Sequence, residues 1–467
     1  MQPPVLMPRL PLRTATQRGV DHILASGDAD GLYRTSYRGG PLHAAATSIA
    51  LNHLGLQDPE FQQRDAQRFA SLEQLQNEDG SFSPFRGAPR SRDLTAMVAL
   101  AVTTAERNQN PDAARFTPML ERAQSFLASG AKGQENPLVA TIYGLMHDVA
   151  MPNEKRVSPA FNPLTPRVAT FLLHARAGQK LAGSLSVAST ILTPAMALLT
   201  HAVHHSGVVH TPVLDGLTRD VIQHQDPNGG WAYVALATAL NIMALQSQGM
   251  QASDPPMARA VGFIDRLDRG SDPASFLGAE LWDTAVAGQV LMASGVPASH
   301  PKVSKMIDRL LEERGPQGLW SFSEGAPAVA DSDSSAAVLQ FLARACPTAT
   351  REQQPAIRTA VIQATRELVD RQQKDGGYNA WLPTPWRFGR RTPKPMEAAI
   401  MDASTPDVTG RVLGSLTAAK HSGVLDKALQ KDVDQCLGRS IEYLGKTQVE
   451  NGSWWSRWIA GYLTGPA

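Results

Sequence analysis

A pattern of seven residues recurs along this chain and constrains its fold more than any other feature. Each full copy begins with Gln, has Gly four residues later and ends on an aromatic residue. The full copies are QNEDGSF (76–82), QDPNGGW (225–231), QQKDGGY (372–378) and QVENGSW (448–454). Two degenerate copies without the Gln, GDADGLY and RGPQGLW, end at Tyr33 and Trp320. Such internal repetition is typical of folds built from one repeated supersecondary unit.

The segments between the copies have the composition of α-helices. Examples are DLTAMVALAVTTAERN and VALATALNIMALQSQG, which are rich in Ala and Leu and lack alternating β-branched runs. The Asn, Asp and Gly residues of each copy end the preceding helix, and its aromatic residue anchors the next segment. This alternation of helices and turns predicts an all-α fold made of α–α barrels.

The spacing of the copies predicts two barrels, with one inserted into the other. The copies that start at 76 and 225 bracket the inserted barrel, and those that end at 320, 378 and 454 bracket the other. We expect residues 40–255 to form the inserted barrel and 256–467 to form the second barrel. Residues 1–39 are expected to add an N-terminal helix to the second barrel.

Charge and cysteine content exclude several classes of protein. The formal net charge is +1, without a polybasic or acidic run, which argues against a nucleic-acid surface. Cys346 and Cys436 lie far apart without metal-ligand spacing, so neither a disulfide framework nor a Cys-based zinc site is expected. The N-terminus lacks the apolar segment of a signal peptide, and no run of about 20 apolar residues is present. These features predict a cytoplasmic protein.

The repeats resemble the QW motifs of squalene–hopene cyclases and related class II terpene cyclases. Three other segments are similar to motifs of that family and follow its order: WDTA from Trp282, DVTGRVL from Asp407 and NGSWWSRW from Asn451. The resemblance covers nearly the whole chain and is greatest to the shorter bacterial prenyl-diphosphate cyclases. It implies two α–α barrels, with a catalytic cavity in the second.

The acid of that family lies in a DxDD motif, and the matching segment here is DSDSS, from Asp331 to Ser335. The resemblance assigns proton donation to Asp333, the middle Asp, and Ser334 stands where the last Asp is usual. We expect burial to keep Asp333 protonated, because a low dielectric disfavours the carboxylate. We also expect Asp331 to share a hydrogen bond with Asp333, and Ser334 to donate to the carboxylate that forms. The alternative is that an Asp of this segment only caps a helix.

Arg411 stands where some relatives carry a His that contacts the acid. An ion pair between Arg411 and Asp333 would hold the aspartate ionised. We therefore expect Arg411 to pair with Asp407, four residues earlier on the same helix, or with Asp331.

Four aromatic residues match the family's cavity positions, although only 6% of the chain is aromatic. They are Trp282, Phe322, Trp381 and Trp458. The resemblance implies a reaction through carbocations, which the faces of aromatic rings stabilise by about 0.5–2 kcal/mol each. The alternative for each residue is an ordinary place in the core.

A basic segment, WRFGRRTPK (386–394), favours a diphosphate substrate, because the arginine fork suits phosphate oxygens. Its cationic residues are Arg387, Arg390, Arg391 and Lys394. A second candidate for binding the diphosphate is formed by Arg86, Arg90 and Arg92. The alternative for both groups is a solvated surface.

The predicted reaction is protonation of the terminal alkene of a linear C15 or C20 prenyl diphosphate, giving a bicyclic diphosphate of the drimane or labdane type. The sequence ends soon after Trp458, which we interpret as a smaller cavity than that of the C30 cyclases. No cofactor is expected for the chemistry, and Mg²⁺ would act only by shielding the diphosphate. The expected partner is a polyprenyl small molecule. A homodimer is compatible with the sequence, whereas membrane contact is not predicted.

Three alternatives remain open at this stage. They are a squalene–hopene-type triterpene cyclase, a non-catalytic cyclase-like binding subunit, and a protein prenyltransferase subunit, which shares the barrel. The last needs Asp, Cys and His zinc ligands. A cluster of histidines is present, but neither Cys is positioned to join it: His201, His204, His205 and His210.

Overall fold

The computed structural model describes residues 12–34, 40–84, 88–133, 137–157, 187–204, 208–268, 277–325, 330–381, 402–450, 452–455 and 463–464. These residues form sixteen α-helices, a 3₁₀-helix (Ala113–Phe116) and an antiparallel pair of short strands, β1 (Trp454–Trp455) and β2 (Leu463–Thr464). Helices thus make up nearly all the regular structure of the described part, and the all-α prediction is confirmed. The chain divides into two compact units.

The N-terminal unit comprises the described parts of Ser36–Gly278. Its helices are α2 (Gly40–His53), α3 (Pro59–Leu75), α4 (Arg92–Arg107), α5 (Thr117–Ala128), α6 (Pro137–Ala150), α7 (Val187–His204), α8 (Pro212–Gln223), α9 (Ala235–Ser247) and α10 (Pro255–Asp268). Helices α2, α4, α6, α7 and α9 each pack on the next, and α9 packs back on α2, so they close a ring. Helices α3, α5, α8 and α10 pack on the outside of this ring.

The C-terminal unit comprises the described parts of Met1–Thr35, Ala279–Pro383 and Asp402–Ala467. Its helices are α1 (Leu12–Ser26), α11 (Glu280–Ala293), α12 (Pro301–Glu312), α13 (Ser332–Ala345), α14 (Gln354–Asp370), α15 (Pro406–His421) and α16 (Lys427–Thr447). Helices α11, α13 and α15 pack side by side as an inner layer, and α12, α14 and α16 cover them. Helix α1 packs on α11.

The two layers of the C-terminal unit follow from the distribution of apolar residues. The outer helix α12 buries a single stripe of residues at helical spacing, Val303, Met306, Ile307 and Leu310, and is amphipathic. The inner helix α13 buries every residue except Gln340 and Arg344, because it has neighbours on all sides. The start of α13, with the DSDSS segment, is therefore buried as well.

The full copies are turns that follow an outer helix, as the sequence predicts, and those that start at 76 and 225 lie before an inner helix. In each full copy the Gln side-chain amide donates to the carbonyl of the Gly four residues later, at 2.7–3.1 Å. In three copies the same amide also donates to a carbonyl of a later outer helix, that of Met119, Pro256 or Cys436. Gly376 has φ +86°, and a Cβ there would lie 2.5 Å from the Arg439 carbonyl oxygen, so the turn requires glycine.

In five of the six copies the aromatic end is held to an inner helix by one hydroxyl group. The backbone N–H of the aromatic residue donates to this hydroxyl at 2.9–3.1 Å in five copies. The pairs are Tyr33 with Thr284, Phe82 with Thr95, Trp231 with Thr238, Trp320 with Ser335, and Tyr378 with Thr409. The turns thus set the position of the inner helices as well as the outer ones.

The division between the units differs from the predicted boundary at residues 255 and 256. Helix α10 belongs to the N-terminal unit, since Met257, Ala260, Phe263 and Ile264 are buried in the core of that unit. The copy at 225 explains this difference, because Gln225 bonds to the Pro256 carbonyl and so draws α10 onto its own turn.

Among the described residues, no helix is long and apolar enough to cross a membrane.

Candidate active site

Asp331 caps the N-terminus of α13. Its backbone is extended, with φ −118° and ψ 158°, and its Oδ1 accepts a hydrogen bond from the Ser334 N–H at 2.7 Å. Asp331 is only 1% exposed. The capping interpretation of the DSDSS segment therefore holds for Asp331, whose carboxylate satisfies a free N–H of the first turn. The Ser334 side chain also hydrogen-bonds to Asp331, and its donation to the forming carboxylate of Asp333 stays a prediction.

The DSDSS segment is held in place by both repeat copies that flank it in the sequence. The Asp331 N–H donates to the Trp320 carbonyl at 3.0 Å, and the Ser335 hydroxyl donates to the same carbonyl while accepting the Trp320 N–H. On the other side, the Ser332 N–H donates to the Ala380 carbonyl at 2.6 Å, just after the copy that ends at Tyr378. Neighbouring turns therefore fix the first turn of α13 through its backbone.

Asp333 pairs with Arg411, which corrects the expectation that Arg411 would pair with Asp407 or Asp331. Arg411 Nη1 lies 2.6 Å from one carboxylate oxygen of Asp333 and 2.7 Å from the other. The reason is that α13 and α15 pack side by side as inner helices, so Arg411 points at the first turn of α13. The Asp331 carboxylate is already used by the cap. The guanidinium favours the carboxylate form of Asp333, so burial alone does not keep it protonated as predicted.

The Asp331 carboxyl, in contrast, is suited to holding a proton. Burial, and then the nearby charge of Asp333, raise the pKa of Asp331 to about 7. The charge of Asp333 acts on Asp331, so the titrations of the two carboxyls are linked. A pKa near 7 lies in the range where a general acid works best.

Trp282 lies on the other side of Arg411, whose Cζ is 5.4 Å from the centroid of the Trp282 ring. Two more of the predicted cavity aromatics lie in the same unit. The Phe322 carbonyl accepts the Leu281 N–H at 3.1 Å, next to Trp282 in the chain. Trp381 is 8% exposed and follows Ala380, the residue that holds Ser332. The structure therefore brings Trp282, Arg411 and Asp333 together and places Trp381 beside the same turn.

Several predicted residues lie outside the described part of the chain or away from this cluster. Those outside it are Trp458, Arg86, Arg387, Arg390, Arg391 and Lys394. Arg90 lies in the N-terminal unit, where it pairs with Asp79 at 2.9 Å. Arg92 donates to the carbonyls of Leu127 and Ala131. Asp407 lies in the first turn of α15, two residues before Thr409.

Two features were not identified from the sequence. One is the hydroxyl group that holds the aromatic end of five copies, and the other is Arg371, whose guanidinium hydrogen-bonds to the carbonyls of Trp381 and Ala330. The hydroxyl residue stands four residues after the helix cap in four inner helices, at Thr95, Thr238, Ser335 and Thr409. This position was visible in the sequence as a Ser or Thr early in the helix after each aromatic. Arg371 carries no such signal, because two of its partners, Ala330 and Gln317, are 41 and 54 residues away in the sequence.

The described residues do not provide a resident metal site. No group of three or more His, Cys, Asp or Glu side chains among them is close enough to hold an ion.

Residues 279–467 match the family described as squalene-hopene cyclase C-terminal domain. The chain is also 28% identical to sporulenol synthase of Bacillus subtilis over 256 residues, which cover 50% of this chain and 37% of that synthase. The chain spans between 20% and 38% of the length of three curated relatives that it matches.

The fold is similar to those of two ent-copalyl diphosphate synthases. For the protein of Streptomyces platensis, the TM-score is 0.55 at 15% identity, covering 96% of this chain and 76% of that one. For that of Arabidopsis thaliana, the TM-score is 0.50 at 10% identity, covering 93% and 52%. These similarities establish the fold as that of α–α barrels, as predicted. Residues 279–467 thus match the squalene-hopene cyclase C-terminal domain family by sequence, and the chain has a fold similar to that of the two synthases over most of its length.

Proposed function

We propose that this chain cyclises a linear C15 or C20 prenyl diphosphate, with Asp333 donating the proton that starts the reaction. The observation that carries the proposal is the buried pair of carboxyls at the start of α13. Asp331 has a pKa raised to about 7, and Asp333 lies 2.6 Å from Arg411. A proton is thus present at neutral pH beside a carboxylate that a cation stabilises.

The proton moves between the two carboxyls before it reaches the substrate. At rest it resides mainly on Asp331, because Arg411 favours the ionised form of Asp333. When the proton is on Asp333, the same guanidinium makes Asp333 the stronger acid, because it stabilises the carboxylate left behind. Preorganised stabilisation of this kind contributes most where charge develops in the transition state.

The reaction then balances without a cofactor. The proton forms a C–H bond at the terminal alkene, and the resulting cation is attacked by the next alkene, so that ring C–C bonds form in turn. The final cation loses a proton or takes up water, and the diphosphate stays on the product. Trp282 and Trp381, beside the same turn, offer ring faces that stabilise positive charge.

The fold similarity supports a diphosphate substrate. The two similar structures are diphosphate synthases, and that of Arabidopsis thaliana was solved with an aza-dihydrogeranylgeranyl thiolodiphosphate. The predicted basic segment, with Arg387, Arg390, Arg391 and Lys394, would bind the diphosphate. The bicyclic drimane or labdane skeleton remains part of the proposal.

A second candidate is a squalene–hopene-type triterpene cyclase. The match of residues 279–467 to the squalene-hopene cyclase C-terminal domain favours this candidate. The acid pair would act in the same way on squalene, which carries no diphosphate.

The test is to incubate the purified chain with farnesyl diphosphate, geranylgeranyl diphosphate and squalene, each separately. Phosphatase treatment and gas chromatography–mass spectrometry then identify cyclic alcohols or hydrocarbons. We expect a cyclic product from one of the diphosphates that is lost in Asp333→Asn. The matched control is Asp432→Asn, an exposed position on α16, which should retain full turnover.

Each outcome of this experiment supports one of the candidate functions. Turnover of squalene alone supports the triterpene cyclase. No turnover of any polyprene supports the binding subunit. If the basic segment 386–394 binds the diphosphate, the double variant with Arg390→Ala and Arg391→Ala should have a higher KM for the diphosphate substrate. Unchanged kinetics would refute diphosphate binding by this segment.

A further inference from the structure

Arg371 connects three segments at the candidate active site. It is the C-cap residue of α14 and directly precedes Gln372 of a repeat copy. Its Nη1 donates to the Trp381 carbonyl at 3.1 Å and reaches the Ala330 carbonyl at 3.5 Å, while Nη2 donates to Gln317 Oε1 at 3.1 Å. Ala330 directly precedes Asp331, so one guanidinium spans the acid motif and a candidate cavity aromatic.

The backbone of Ala380 and Trp381 is held from the opposite side by Asp402. One carboxylate oxygen of Asp402 accepts the Ala380 N–H at 3.1 Å, and the other accepts the Trp381 N–H at 2.7 Å. Asp402 is 1% exposed and has φ +49°, an unusual conformation for a non-glycine residue. Backbone strain persists where the surrounding contacts impose it, as these two hydrogen bonds do here.

Hydrogen bonds also run from this held segment to the acid motif. The Ala380 carbonyl accepts the Ser332 N–H at 2.6 Å, so the backbone that Arg371 and Asp402 hold is the one that fixes the first turn of α13. Arg371 therefore acts on Asp331 from two directions: through Ala330, and through Trp381 and Ala380.

Charge supports this arrangement. Burial lowers the pKa of Arg371, and the charges of Glu367, Asp331 and Asp402 oppose that effect. The charge of Asp333, on the same helix, acts on Asp331, and the charge of Asp331 in turn acts on Arg371, which follows α14. Arg411 of α15 pairs with Asp333. A partly buried cation beside a buried carboxyl favours the carboxylate.

We propose that Arg371 is a positioning residue, which holds Asp331 and Trp381 in one fixed arrangement and sets the proton affinity of the acid pair. The proposal rests on the proposed function for its kinetic consequence. Its structural part is that Arg371 and Asp402 together hold the backbone of Ala380 and Trp381, and through Ala380 that of Ser332, and it stands independently of any reaction.

The structural part is tested by amide hydrogen exchange with mass spectrometry on the full chain. In Arg371→Ala we expect the amides of Ser332, Ala380 and Trp381 to exchange about fivefold faster, since a supporting hydrogen bond typically contributes about 1 kcal/mol. Arg371→Lys should restore only part of the protection, because lysine lacks the planar fork. Arg366→Ala, an exposed position on the same helix, is the matched control and should show wild-type exchange.

The kinetic part is tested on the substrate that the wild-type chain turns over. Arg371→Ala should lower kcat by about 10²-fold with little change in KM, the cost of misplacing a reacting group. It should also move the alkaline fall of kcat to higher pH, because a lost cation raises the pKa of the acid pair. Arg371→Lys should keep the wild-type pH profile.

Unchanged exchange in Arg371→Ala would overturn the proposal whether or not the chain is active. Faster exchange with an unmoved pH profile would overturn the assignment of proton affinity. If the wild-type chain turns over no polyprene, the proposed function fails, and the exchange experiment alone decides the structural role of Arg371.

Discussion

Arg411 and Asp333 form an ion pair between two neighbouring inner helices, with Nη1 2.6 Å and 2.7 Å from the two carboxylate oxygens. The guanidinium also lies 5.4 Å from the Trp282 ring centroid, so its position is fixed from two sides. An acid that protonates an alkene must leave a stable carboxylate behind. In the reaction that we propose, this pair would provide that stability, and Asp331, whose pKa is raised to about 7, would hold the proton at rest.

Substitutions of Arg411 should distinguish the effect of its charge from that of its contact with the Trp282 ring. Arg411→Ala is expected to lower kcat by about 10²-fold or more, because the carboxylate that forms on Asp333 loses its cation. Arg411→Lys keeps the charge and should recover part of that rate. Steady-state kinetics with the accepted substrate provide the measurement.

The same substitution also has an expected cost in stability. The free energy of unfolding should fall in Arg411→Ala by less than the roughly 3–5 kcal/mol typical of a broken buried pair, because the side chain is 33% exposed. Urea denaturation measures this, with Arg351→Ala, an exposed position, as the control. Wild-type kinetics in Arg411→Ala would contradict the role of the pair.

The pH dependence of stability should report on Asp331. Its folded-state pKa of about 7 lies above the unfolded value near 3.9, so the folded chain keeps a proton that the unfolded chain loses. The contribution is fully present below about pH 4 and is lost as pH rises through about 7.

In Asp331→Asn this loss should disappear while the cap remains, because Asn is an equally good N-cap. Between pH 5 and pH 8 the variant should gain about 2–3 kcal/mol of unfolding free energy relative to wild type. Urea denaturation at the two pH values gives the comparison. An equal change with pH in both proteins would argue against a proton on Asp331.

The Ser335 hydroxyl should contribute stability through the Trp320 backbone. In Ser335→Ala the buried Trp320 N–H loses its acceptor, at a cost of about 1–3 kcal/mol in unfolding free energy. Ser335→Thr should be close to wild type, because threonine fills this position in other copies.

A neighbouring serine provides the control for Ser335. The Ser332 hydroxyl is buried and has no hydrogen-bond partner among the described residues, so Ser332→Ala should cost little. Equal losses of unfolding free energy in Ser332→Ala and Ser335→Ala would contradict the stabilising role of the Ser335 hydroxyl.

The glycine of the repeat turn should be indispensable to the stability of the turn. Gly376→Ala is expected to lower the free energy of unfolding by about 2 kcal/mol or more, from the positive φ and the contact with the Arg439 carbonyl. Gly438→Ala, in α16 with open space around it, should instead add about 0.5–1 kcal/mol. Thermal denaturation distinguishes the two, and a stable Gly376→Ala variant would refute this account of the turn.

The sequence predicts the all-α fold because that fold depends on local, repeated patterns. It predicts the domain boundary less well, because α10 is drawn onto the N-terminal unit by a bond from Gln225. The prediction that Arg411 pairs with Asp407 or Asp331 was wrong for a similar reason. Spacing of four residues along α15 suggests Asp407, but the packing of α13 on α15 decides which carboxylate the guanidinium reaches.

The central claim is that the reaction begins with a proton from the protein, and the most direct test is product formation in D₂O. Asp333 exchanges its carboxyl proton with solvent, so each turnover should place a single deuterium at the former terminal alkene. Mass spectrometry of the dephosphorylated product should then show a fragment from that end of the molecule heavier by one unit. A cyclic product without deuterium at that carbon would contradict protonation as the first step.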